Sequence, residues 1–104
     1  MIAKAATALS MALCSAAPAT AESWTERKCA LYAAAMEDAL GLLGRDGISD
    51  AFLSENAAFI AQGCTERGRF CPQTAQERAL ADMLTLMTMN EGMASTFVPF
   101  ACPG

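Results

Sequence analysis

Apolar residues recur every three or four positions in three separate segments of the chain. In the first segment the pattern consists of Cys29, Tyr32, Met36, Leu40 and Leu43. This spacing places the side chains on one face and predicts an amphipathic helix. Ser23 and Glu26 form a capping-box sequence at its start, because each side chain can bind the backbone N–H of the other residue. The glycines at positions 41, 44 and 47 mark its exit.

A second helix is predicted to begin near Ser49 and to stop at Gly63. Ile48 and Leu53 are spaced for a hydrophobic staple across its first turn. The buried face is expected to consist of Phe52, Leu53, Phe59 and Ile60. Glycine is common directly after a helix, because it adopts the left-handed conformation there without strain.

A third helix is predicted to follow a second capping-box sequence, formed by Thr74 and Glu77, and to end near Gly92. Leu86 is placed at the edge of its buried face. That face is expected to carry Leu80, Met83, Leu84, Met87 and Ala94.

The residues after the third helix cannot continue it, because Pro99 and Pro103 lack the backbone N–H that a helix needs. Phe97, Val98 and Phe100 make this segment apolar. No segment alternates between apolar and polar residues for long enough to predict a strand. We therefore expect an all-α fold, a small three-helix disulfide-stapled domain with the apolar C-terminal tail packed back on the bundle.

Residues 1–21 have the three parts of a cleaved secretory signal peptide. Lys4 supplies a positive charge, an alanine-rich apolar run follows, and Ala19 to Ala21 offer the small residues that a signal peptidase accepts. The apolar run is shorter than the about 20 residues that cross a bilayer. The sequence predicts an exported protein, periplasmic or secreted, with no stable membrane insertion after cleavage and one helical domain at 22–104.

Four cysteines remain beyond residue 21, and an exported domain of this size is expected to join them in two disulfides. Helices connected by a short loop run antiparallel, and the midpoint between Cys29 and Cys64 falls in the glycine-rich turn. This favours Cys29–Cys64, and Cys71–Cys102 follows by elimination. The set Cys29–Cys102 with Cys64–Cys71 stays open, because sequence alone permits it.

Charge and composition exclude several classes of function. Without Lys4 the chain has six basic and eleven acidic residues, a formal net charge of −5. This balance argues against nucleic acid and against anionic membrane surfaces as partners. The chain contains no histidine and no Cys-x-x-Cys motif, so the usual catalytic triads, zinc sites and thiol redox motifs lack their residues. We expect a protein that is not an enzyme and carries no cofactor.

Methionines provide an alternative chemistry. Met83, Met87, Met89 and Met93 crowd the third helical segment, and thioether sulfur is a ligand for Cu(I). Methionine is also an adaptable core residue. Because Met83 and Met87 share the stripe of Leu80, core packing is the favoured role, and a Cu(I)-binding protein is the alternative.

Two groups of residues are candidates for contact with another exported protein. Arg67, Arg69 and Phe70 combine positive charge with an aromatic ring, a composition common in recognition sites. Met89 and Met93 widen the apolar face of the third helix, and they form a soft binding patch if the tail leaves them uncovered. The first hypothesis is a protein-binding or accessory module. A periplasmic stress chaperone that exposes its methionine face is a further alternative.

Overall fold

The computed structural model describes residues 22–65 and 68–104 and shows an all-helical domain. Its helices are α1 (Trp24–Leu43), α2 (Asp50–Ala61) and α3 (Ala75–Asn90). The described part of the chain contains no strand, which confirms the predicted all-α fold. The predicted signal peptide at 1–21 lies outside the described residues.

Each helix is capped at its N-terminus by the hydroxyl residue that the sequence predicts. Ser23 and Glu26 complete the capping box of α1, and the Ser49 hydroxyl accepts a hydrogen bond from the Phe52 N–H at 3.1 Å at the start of α2. The Thr74 hydroxyl likewise accepts from the Glu77 N–H at 2.9 Å. The Glu77 carboxylate, the other half of that predicted capping box, accepts mainly from the N–H groups of Gln73 and Ser49, as described below.

The ends of α2 and α3 share one geometry, a Schellman turn around a left-handed glycine. Gly63 has φ 80° and Gly92 has φ 93°. The next N–H reaches back over the turn, from Cys64 to the Phe59 carbonyl at 2.9 Å and from Met93 to the Thr88 carbonyl at 3.1 Å. This turn directs the residue after the glycine toward the helix that it ends, and both Cys64 and Met93 are buried.

The core lies where α1 packs on α3, with α2 and the tail closing the remaining side. Two predicted members of the apolar faces are not in it. Leu43 is exposed because it sits in the last turn of α1, beside the exposed Leu42. Ala94 is exposed because α3 ends four residues earlier, so the helical period no longer applies to it. The largest side chains of this core cluster are Tyr32, Met36, Phe52, Phe59, Leu80 and Leu84.

The core contains one hydrogen-bonded polar pair between α1 and α2. The Tyr32 hydroxyl donates to Asn56 Oδ1, and Asn56 Nδ2 donates to the Phe52 carbonyl at 2.9 Å. Both side chains are almost completely buried, and burial raises the pKa of the Tyr32 phenol well above its usual value. The pair therefore stays neutral and serves to fix α1 against α2.

Replacing Tyr32 with phenylalanine is expected to lower the free energy of unfolding by about 2 kcal/mol, because Asn56 Oδ1 keeps its burial and loses its donor. Urea denaturation followed by circular dichroism measures this difference. A change below about 0.5 kcal/mol, the range of neutral surface substitutions, would contradict the role assigned to the pair.

Two disulfides brace the bundle, with the pairing that the turn geometry favoured. Cys29–Cys64 joins α1 to the turn after α2, with Cα atoms 5.3 Å apart. Cys71–Cys102 joins the segment before α3 to the tail, with Cα atoms 4.6 Å apart. Disulfides of this kind are typical of proteins that fold in an oxidising compartment.

The C-terminal tail packs back on the bundle, as predicted. The Phe70 N–H donates to the Pro99 carbonyl at 3.0 Å, and the Ala101 N–H donates to the Phe70 carbonyl at 3.1 Å. The Phe100 ring stacks on Phe52 with centroids 5.6 Å apart, and Phe70 meets both rings edge-on. The tail therefore closes the aromatic side of the core.

Candidate functional site

Arg69, in the predicted basic loop, is hydrogen-bonded to the tail in this structure. Arg67 lies outside the described residues. The Arg69 guanidinium donates to the Val98 carbonyl at 2.9 Å and to the Thr96 carbonyl at 3.0 Å. The Phe70 ring packs within the aromatic group of the core. Arg69 and Phe70 therefore hold the tail in place, and their contact with a partner stays a prediction.

A second cation at the same end of the bundle also contacts the tail. Lys28 Nζ lies 5.2 Å from the centroid of the Phe97 ring, a cation–π geometry. The other sides of that ring meet Tyr32 and Phe59 edge-on. The positive charge that the sequence suggested for recognition is thus partly used within the fold.

The four methionines of the third segment occupy three kinds of environment. Met83 and Met87 are half-buried against the core, Met89 is 46% exposed, and Met93 is 5% exposed. The predicted patch required both Met89 and Met93 to be uncovered, but Met93 is buried, because α3 ends at Asn90 and the turn at Gly92 directs it inward. Partner binding by Met89 stays a prediction. Cu(I) binding by the four sulfurs stays an untested alternative.

An exposed apolar pair stands on the outward face of α3. Leu86 is 63% exposed, and Met89 follows it by one helical turn. Leu86 is about 120° around the helix from the fully buried Leu80. Leu86 is therefore not at the edge of the buried face, where it was expected; the helical period, counted from Leu80, points it to solvent. We call Leu86 and Met89 the outward pair of α3.

The buried carboxylate of Glu77 is the chemically most unusual group among the described residues. Its two oxygens accept from the Gln73 N–H and the Ser49 N–H, each at 2.9 Å. Burial alone raises the pKa of a carboxyl group, but the hydrogen bonds from Gln73, Ser49 and Thr74 outweigh it and hold the pKa of Glu77 below its usual value. An acid held in its charged form by two backbone donors joins the starts of α2 and α3, and it has no proton to give at neutral pH.

Two open grooves flank this region. One, of about 390 Å³, runs between α3 and the tail and is lined in part by Arg78, Asp82 and Phe100. The other, of about 240 Å³, lies beside Glu55 and Glu77. Within the described ranges 22–65 and 68–104, no three cysteine or carboxylate side chains are grouped so that they could hold a metal ion.

Among the helices in the described part of the chain, none has the length and apolar character needed to cross a membrane. Of the predicted partner residues that the structure describes, Met89 is exposed beside Leu86, whereas Arg69 and Phe70 contact the tail and the core. Comparisons of this chain with family models, with curated proteins and with solved structures gave no match.

Proposed function

We propose that this chain is an exported, non-enzymatic binding module that docks on another exported protein through the outward pair of α3. The observation that carries the proposal is the 63% exposure of Leu86, with Met89 one turn away. A domain this small buries a limited fraction of its surface, so two large apolar side chains left outside together are available for a partner.

Burial of these side chains favours binding. Covering a leucine or methionine side chain completely is worth about 1.5–3 kcal/mol. The pair stands on a regular helix whose flanking segments are fixed by a disulfide at Cys71 and by the turn at Gly92. A rigid helix loses little conformational freedom on binding, which leaves more of the burial energy for affinity.

Charge around the pair defines the partner's chemistry. Asp82 precedes Leu86 by one turn on the same face of α3, and its carboxylate is exposed. An apolar site with an acidic rim is complementary to an apolar surface with a basic rim. The proposed partner is therefore an exported protein that presents such a surface, and not a nucleic acid.

The proposed compartment is the periplasm or the exterior of the cell. The two disulfides support an oxidising environment. The composition of residues 1–21 supports export through a cleaved signal peptide.

A photo-reactive amino acid at position 86 is expected to cross-link the protein to one discrete partner in its native host. The matched control places the same amino acid at Ala57, which is exposed on α2. Leu86→Glu, made in a chain whose cross-linker stands at Met89, should remove the adduct, whereas Ala57→Glu should retain it. Both substitutions are on the surface, so the circular dichroism spectrum and the urea midpoint should change little.

Two other outcomes would overturn this proposal. Equal cross-linking from positions 86 and 57 would show that the outward pair is not a specific surface. Many adducts that increase at low pH would favour the stress-chaperone alternative over a dedicated partner.

A further inference from the structure

Helix α1 carries a second row of residues on the side away from its core face. The spacing along this row alternates between three and four residues, which is the repeat of a helix that packs along another helix. Its members, which we call the outer row of α1, are Trp24, Arg27, Leu31, Ala34, Asp38 and Gly41.

The outer row is open to solvent over most of its length. Trp24 is 51% exposed, Leu31 is half-buried, and the other four members are exposed. Leu42, next to the end of the row, is 73% exposed. Trp24 and Leu42 therefore leave apolar area exposed at the two ends of one helix face, where a partner helix can cover it.

Gly41 is unexplained by the packing of the single chain. It lies within α1 and does not have a positive φ, and a Cβ atom built on it meets nothing within 4 Å. Glycine is the poorest helix former after proline, so the single chain would tolerate a larger residue there. A glycine on a helix face lets another side chain or helix approach closely.

The order of residues in the row is complementary to itself when reversed. If two copies of α1 lie antiparallel with a two-fold axis between Tyr32 and Ala33, Arg27 of each copy faces Asp38 of the other. In the same register Leu31 faces Ala34, and Trp24 faces Gly41. Every position thus meets the opposite charge or the opposite size.

From this complementarity we propose that the outer row of α1 binds a second copy of this chain, as an antiparallel pair with two-fold symmetry. Such a contact is isologous, so each favourable pair occurs twice. The proposal does not depend on the partner site on α3, and it concerns a different helix.

The surface beside Ala34 offers room for the larger residue opposite. A hollow of about 100 Å³ between α1 and α3 is lined by Leu31, Ala34, Asp38, Met87 and Glu91. In the antiparallel pair this hollow lies level with Leu31 of the second copy. The leucine therefore meets an apolar floor that includes the half-buried Met87.

The expected association is weak. The row runs about 27 Å along the helix, and a contact made by one helix from each copy falls at the low end of interface sizes, below about 1,200 Å². We expect a reversible equilibrium between monomer and dimer that shifts with protein concentration and weakens with salt, since exposed ion pairs are screened.

Sedimentation analysis of the oxidised protein over a wide concentration range tests the pairing. Asp38→Arg sets a second arginine opposite Arg27 of the other copy. This like-charge contact is expected to weaken the dimer by at least about tenfold, the effect of roughly 1.4 kcal/mol. Combining Arg27→Asp with Asp38→Arg restores opposite charges and should restore association. Glu37→Arg makes the same change of charge about 100° around the helix and should leave the equilibrium almost unchanged.

A substitution at Gly41 separates the dimer from the stability of the fold. Gly41→Leu is expected to raise the thermal midpoint of the dilute monomer by a few degrees, about 4–8 °C for each kcal/mol gained, because leucine is the better helix former. The same change should abolish the dimer by filling the space for Trp24.

Three results would each overturn the proposal: a wild-type protein that stays monomeric at all concentrations, a dimer that Gly41→Leu leaves intact, or a failure of the charge swap to restore association. Leu86→Glu, which tests the site on α3, should leave this dimer intact.

Discussion

Replacing Cys29 and Cys64 together with alanine is expected to lower the free energy of unfolding by about 4 kcal/mol. The bond closes a loop with a sequence separation of 35 residues, and the chain-entropy relation gives about 4 kcal/mol for a loop of that size. A domain of this length has about 4–12 kcal/mol of stability in total. The variant is therefore expected to be partly unfolded at 37 °C.

Urea denaturation at 25 °C, followed by circular dichroism, measures this loss. Cys71→Ala with Cys102→Ala is the matched control, because its separation of 31 residues predicts nearly the same entropic effect. Cys64 is buried in the core whereas Cys102 is exposed, so the first pair should also lose packing and be the more damaging. Equal losses, or a smaller loss for Cys29 and Cys64, would contradict this assignment.

The sequence predicted the helices and their starting points well, because those depend on local chemistry. The hydroxyl side chains of Ser23, Ser49 and Thr74 each bind an N–H within the same turn, and this needs no knowledge of the rest of the fold. The Cys29–Cys64 pairing followed from one turn and the antiparallel geometry on either side of it. Cys71–Cys102 was obtained by elimination only.

The candidate site was less predictable, because its residues depend on contacts between distant segments. Arg69 binds carbonyl groups nearly thirty residues further along the chain, and no local pattern reveals such a contact. Met93 is expected on the apolar face of the third helix only if the helical period continues past Gly92. The left-handed turn at Gly92 ends the helix before Met93. Gly92 is itself the predicted end of the third helix, so the sequence contains the signal that the helical period does not extend to Met93.

Leu86 and the outer row of α1 show that the helical period identifies residues on exposed faces as well as on buried ones. Counting from Leu80 puts Leu86 on the solvent side, and counting from Trp24 finds a regular row that ends at Gly41. The structure adds the exposure of these residues and the empty space at Gly41. Periodicity indicates which residues share a face, but only the packed structure shows which face is left without a neighbour.

Replacing Glu77 with glutamine is expected to lower the free energy of unfolding by about 3 kcal/mol at pH 7. Each hydrogen bond from a backbone N–H to a charged acceptor contributes about 1.5–3 kcal/mol, and glutamine keeps only one oxygen to accept. Its amide group would face either the Ser49 N–H or the Gln73 N–H, donor against donor. The start of α2 would then lose its link to the start of α3.

The pH dependence of stability provides the second measurement. The pKa of Glu77 in the folded protein lies below its usual value, so the unfolded chain takes up the proton first as the pH falls. The contribution of Glu77 is therefore complete above the unfolded pKa of about 4.3 and is lost as the pH falls through the lower, folded pKa. In Glu77→Gln this part of the acid-induced loss should be missing.

Glu55→Gln is the control for Glu77→Gln, because it removes the same charge from an exposed position on α2. It should change the free energy of unfolding by no more than about 0.5 kcal/mol and should keep the wild-type loss of stability in acid. If Glu77→Gln and the wild-type protein lost stability in parallel between pH 6 and pH 3, the carboxylate would not be held in its charged form by the fold. Both donors, the N–H groups of Ser49 and Gln73, lie in backbone at the start of a helix. A parallel loss of stability would therefore also contradict the proposal that the charged Glu77 holds the starts of α2 and α3 together.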